Sequence, residues 1–174
     1  MAEQTTTNTD NAATQGQGPS IQVLTQYVKD MSVENPNSPA SIISGWGAPE
    51  TNVQINIRTQ EVRDDMYEVV LMFRIEARAP KQDNKVAFIV ELAYAATVEL
   101  KNIPAKNLQP VLMIEVPKLL FPFAREIVGD ATVKAGFPPL YLQPISFENI
   151  YAQDLQRRQA EANGGAQDKV AGNA

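Results

Sequence analysis

Residues 116–151 read VPKLLFPFAREIVGDATVKAGFPPLYLQPISFENIY. Leu120, Phe123, Ala124, Ile127 and Ala131, continued by Val133 or Lys134, recur at helical spacing. They predict a helix over 118–135 with one broad apolar stripe. Pro122 falls in its first turn, where a missing N–H costs little. Gly136 suits the position just past a helix end, and Pro138-Pro139 stops continuation. At about 1.5 Å per residue the helix is about 27 Å long, enough to cross four strands. LYLQPISF is extended, and Ser146 is placed to cap a second helix from Phe147. In that helix Phe147, Ile150, Tyr151 and Leu155 form only a narrow stripe. Upstream, 106–115 reads as a short separate helix that Pro117 ends. These segments carry more apolar side chains than one helix packing on one sheet requires.

Four strands precede the helices. Residues 21–34 mix β-branched and aromatic side chains with a slip in phase that predicts a bulge or twist. Val53, Ile55 and Ile57 alternate with polar residues, as do Tyr67, Val69, Leu71, Phe73 and Ile75. Residues 61–66 and 79–85 are polar turns. The adjacent Asp64 and Asp65 are explained by turn chemistry more simply than as an acid/base pair. Residues 86–100, VAFIVELAYAATVEL, are apolar on both phases. The short turns imply antiparallel pairing. One face of this strand is then expected on the chain's own helix and the other on a neighbouring subunit. Between the first two strands runs a long crossover, 35–52, rich in Pro and Gly. It also carries Ile42, Ile43 and Trp46, the only tryptophan. Trp46 either pins this loop to the core or lines a binding groove.

The 174 residues suit one domain, expected over 21–158 between a disordered polar tail at 1–20 and a mobile tail at 159–174. The net charge of −5 argues against nucleic acid and anionic membranes as partners. No run approaches the roughly 18 apolar residues of a membrane span, and residues 1–20 lack signal-peptide character, so no membrane insertion and a cytoplasmic location are expected. His and Cys are both absent. That removes His- or Cys-based triads and dyads, ordinary zinc sites and disulfides. Neither GxxxxGK[ST] nor GxGxxG occurs, so no nucleotide cofactor is expected. No catalytic residue and no metal ligand is assigned.

Four segments, in order and at compatible spacing, carry a specific resemblance. They are YVKDMSVENPNSP (27–39), DDMYEVVL (64–71), LLFPFARE (119–126) and AGFPPLYLQPISFENIY (135–151). Together the chain resembles the protein-export chaperone SecB family over roughly residues 21–155. The resemblance implies an α+β protomer: a four-stranded antiparallel sheet packed by a long helix, plus a C-terminal helix. It further implies a homotetramer, a dimer of dimers, that binds unfolded precursor proteins without ATP and delivers them to the SecA ATPase. Ile42, Ile43 and Trp46 beside Tyr151 and Leu155 are then the expected client groove. The positions matching the family's SecA-binding face are Asp30, Glu34, Ile89 and Glu91. Glu91 is odd in an apolar run, and a partner's basic tail would account for it. Val90, Leu92, Tyr94, Phe123 and Ile127 are the expected subunit interface.

Two other readings stay open. One is an adaptor of the same fold serving a single dedicated or toxin-like partner. The other is a carboxylate-based enzyme around Asp64, Asp65 or Glu68.

Overall fold

The structure is a computed structural model and describes residues 18–43 and 46–167. Residues 1–17 and 168–174, which make up most of the expected N-terminal tail and the end of the expected C-terminal tail, lie outside the described residues. Four strands form one antiparallel sheet: β1 (Ser20–Glu34), β2 (Glu50–Arg63), β3 (Met66–Ala79) and β4 (Lys85–Lys101), in the order β1-β4-β3-β2. The order explains the long crossover. β1 and β2 occupy opposite edges, so the connection must span three strand gaps, about 14 Å. It passes the β3–β4 hairpin, where the Asn37 side chain donates to the Val86 carbonyl at 2.9 Å.

Where one phase slip is expected in the first strand, the structure has two register shifts, at Val23/Thr25 and Val28/Asp30. The second has a use. A bulge re-aims side chains, and Lys29, the extra residue, reaches over β4 to Glu68 on β3 at 2.6 Å. The β2–β3 connection is as tight as the sequence implied: Asp65 adopts φ +58° and its carbonyl accepts from the Leu100 N–H at 2.8 Å.

The helices differ from the expectation in one respect. Helix α1 (Ala105–Pro110), a π-helical turn (Val111–Glu115) and α2 (Val116–Lys134) run on without a break. Pro117 does not end a helix, and Pro122 lies well inside one. The π turn supplies the reason. In it the Val116 N–H reaches back five residues to the Val111 carbonyl. The widened turn loosens the ladder just where the Pro117 ring would otherwise meet the preceding turn.

Helix α2 packs on β3 and β4. Its buried row is Val116, Leu120, Ala124, Val128 and Ala131. These meet the odd phase of β3 (Val69, Leu71, Phe73, Ile75) and the even phase of β4 (Val90, Leu92, Val98) in one core. Each large apolar side chain so buried contributes roughly 1.5–3 kcal/mol. The predicted stripe is therefore rotated slightly: Phe123 is 51% exposed and Val128 is buried instead. Helix α3 (Phe147–Gln167) starts as expected, with Ser146 Oγ accepting from the Asn149 N–H at 3.3 Å. Phe147 is buried edge-on to Phe121, their centroids 6.0 Å apart. Among the described residues no helix is long and apolar enough to cross a membrane.

Candidate functional site: an apolar cavity and the outer sheet face

On the helix side of the sheet, the crossover encloses a cavity of about 520 Å³. Ile42, Ile43 and Trp46 form one wall, Phe88 the floor, and Phe137 to Leu140 the other wall. Each part is locally fixed. The Asn35 side chain donates to the Ala135 carbonyl at 3.2 Å and accepts from the Ser41 hydroxyl at 2.6 Å, which ties the loop to the end of α2. Thr132 is fully buried and clamps the opposite wall. Its hydroxyl donates to the Gly129 carbonyl at 2.8 Å and accepts from the Leu140 N–H at 2.9 Å. Phe137 packs on Phe88 with centroids 4.8 Å apart. These hydrogen bonds brace the walls, while Ile43 is 61% exposed and Ile42 is also open. Trp46 is half-buried against the core and also lines the cavity.

The structure brings Ile42, Ile43 and Trp46 together and completes the cavity's lining with the 136–140 segment. Tyr151 and Leu155 are not among its lining residues; they sit on α3, whose contacts run to the π turn. Sequence reasoning missed Phe88, Phe137 and Leu140. The signal available was the GFPPL run itself, an apolar segment too short and too Pro-rich to be an element of its own.

On the opposite face of the sheet α2 makes no cover, because it packs on the core side of β3 and β4. Cross-strand pairing places Asp30 beside Ala93, Ser32 beside Glu91 and Glu34 beside Ile89. Asp30, Glu34, Ile89 and Glu91 therefore share one face on the β1–β4 ladder. Glu91 has a partner within the chain: it is ion-paired with Arg74, directly opposite on β3. That pairing explains a charged residue in an otherwise apolar strand without any second protein. Further along the same face Tyr27 and Lys29 both donate to Glu68. The ammonium of Lys29 first, and the hydroxyl of Tyr27 next, hold the Glu68 carboxyl below the usual carboxylate range. Glu68 in turn pushes the Tyr27 phenol up. A carboxylate held ionised by two donors is a structural pin, which leaves it poorly suited to general acid/base work at neutral pH.

The expected interface residues fall in two groups. Val90 and Leu92 are 0% and 2% exposed and Tyr94 is also buried; all three face the chain's own helix, so a neighbour could not touch Val90 or Leu92 directly. Phe123 stacks near Tyr94 at 6.5 Å and leaves its other side open, with Ile127 half-buried beyond it. Open apolar residues continue along that helix face as Leu119 and Val133, and along the edge strand as Ile21, Val28, Met31 and Val33.

Comparison with known proteins places this arrangement. The profile of the family described as preprotein translocase subunit SecB matches residues 14–158. The protein-export protein SecB of Nitrobacter winogradskyi is 49% identical over 142 residues, 82% of this chain and 87% of that protein. That of Sphingopyxis alaskensis is 42% identical over 168 residues, 94% of this chain and 95% of the other. Among solved structures, a Mycobacterium tuberculosis SecB-like chaperone in complex with a ChAD peptide from an antitoxin shares the fold. Its TM-score is 0.58 at 16% identity, covering 72% of this chain and 91% of that one. With the family profile spanning most of the chain and such relatives along nearly its whole length, this protein belongs to the SecB family of protein-export proteins.

Proposed function

We propose that this protein is an ATP-independent cytoplasmic chaperone that holds unfolded precursor proteins and passes them to SecA. The observation that carries the reading is the open cavity between the crossover and the 136–140 segment. Its walls are apolar and braced by hydrogen bonds from Asn35 and Thr132, so it is ready for side chains before a client arrives. Burial of client side chains there contributes roughly 25 cal/mol per Å², offset by the entropy of ordering the client. A single cavity of this size holds only a few side chains. Useful affinity for an extended chain then comes from several such cavities on one assembly, through avidity. The open apolar rows on α2 and β1 are the natural contact for the other protomers of a homotetramer, arranged as a dimer of dimers. The outer face bearing Asp30, Glu34, Ile89 and Glu91 is the docking surface for SecA.

Trp46 provides a direct test because it is the only tryptophan. Titrating two unrelated, chemically unfolded precursors without ATP should change its fluorescence saturably for both, and the folded forms should leave it unchanged. A response to one dedicated partner alone would favour the adaptor reading. No response to any unfolded chain would remove the chaperone reading.

A further inference from the structure

Glu91 is not a free carboxylate on the outer face. It is ion-paired with Arg74, which also lies 3.9 Å from Glu76, and Glu76 is paired with Arg78. Positions 74, 76 and 78 alternate onto one face of β3. The four charges thus make a row that ends on Glu91 of β4. On the far side of Glu91, Ser32 of β1 has a buried hydroxyl oxygen with no partner. The carboxylate is drawn towards β3 and away from β1, where Asp30 and Glu34 stand. Among the described residues the side chains of Asp30 and Glu34 form no ion pair, so Glu91 alone of the three acidic groups is occupied. The Arg74–Glu91 pair is open to water, the two side chains 46% and 41% exposed. A pair of this kind is weak and exchanges readily with another cation.

We propose that Arg74 sets how tightly a lysine- and arginine-rich partner segment docks on this face. It holds Glu91 in the free protein and releases it to the partner's cations on binding. The inference rests on the reading that the outer face receives a basic segment, and it adds the residue that limits that docking. Arg74 opposes docking in two ways: Glu91 must be released, and the guanidinium repels the arriving charge. Arg78 separates the two effects. It lies on the same strand and face with the same charge, but it pairs with Glu76 and not with Glu91.

The test uses the full-length protein and a short labelled peptide of alternating Lys and Arg with Gly spacers, followed by fluorescence anisotropy at low ionic strength. Arg74→Gln should bind about three- to fivefold tighter than the unaltered protein, and Arg78→Gln should gain less. In a Glu91→Gln background the two substitutions should give equal gains. If Arg74→Gln folds poorly, Arg74→Lys should gain in the same direction by a smaller factor, because a lysine cannot hold the carboxylate with a fork of donors. Equal gains for Arg74→Gln and Arg78→Gln with Glu91 present would make Arg74 one charge among others and overturn the inference alone. Failure of both the unaltered protein and Arg74→Gln to bind the peptide would instead overturn the reading of this face as a basic-segment site, and the inference with it.

Discussion

The side chain of Ile42 fills the space that Gly136 leaves by having no β-carbon. A β-carbon built there would lie 3.1 Å from Ile42 Cδ1 and 3.3 Å from Cγ2, and the residue has φ +88°. This contact and the Asn35–Ala135 hydrogen bond together join the crossover to the end of α2. Gly136→Ala should lower stability by about 1–2 kcal/mol, from the left-handed backbone and the crowding of Ile42 together. Denaturant midpoints will show it. Ile42→Ala in the same chain should relieve the crowding and leave only the backbone cost.

Ile43 lines the cavity, is more exposed than Ile42 beside it, and is not among the core residues. Ile43→Ser should leave the unfolding midpoint within about 0.5 kcal/mol of the unaltered protein. Affinity for an unfolded client should nevertheless fall several-fold. Trp46→Ala should weaken both, since Trp46 packs on the core as well as lining the cavity. Unchanged client affinity in both variants would take the cavity out of the binding account.

The buried Thr132 side chain holds the 136–140 wall to α2. Thr132→Val keeps the shape and removes both hydrogen bonds, leaving the Leu140 N–H without its acceptor. The expected loss is about 1–3 kcal/mol. Hydrogen exchange at Leu140 should accelerate more than exchange in β3.

The pin at Glu68 gives a pH dependence with a definite sign. Its carboxyl is held below the usual range in the folded chain by Lys29 and then Tyr27. The stability it contributes is therefore complete above the unfolded value, about pH 4.3, and is lost as pH falls through the lower folded value. Glu68→Gln should flatten the acid limb of the stability curve below about pH 4.3 while lowering stability at neutral pH. An acid limb unchanged by the substitution would remove Glu68 from that role.

Much of the architecture was legible because periodicity is a local signal. The strand at residues 86–100 was apolar on both phases, and in β4 the even phase is the core while the odd phase lies on the outer face. The first strand signalled one slip in phase and carries two register shifts. Proline misled where a neighbour compensated: Pro117 normally ends a helix, and only the adjacent π turn lets α1 and α2 join, a feature that no residue pattern announced. The site was legible in part for a related reason. Ile42, Ile43 and Trp46 stood out as apolar residues in a loop. Their partners Phe88 and Leu140 depend on where the crossover lands, which sheet order decides. The Arg74–Glu91 pair depends on register between strands, and seventeen positions of sequence separation conceal it.

The central claim is that apolar surface beyond the core serves assembly and client capture. The most direct test is the native mass by light scattering, alone and with a chemically unfolded precursor, in the absence of ATP. The account predicts a mass near four protomers of 19.1 kDa that rises by the mass of one client. A monomer whose mass does not change when the unfolded chain is added would contradict it.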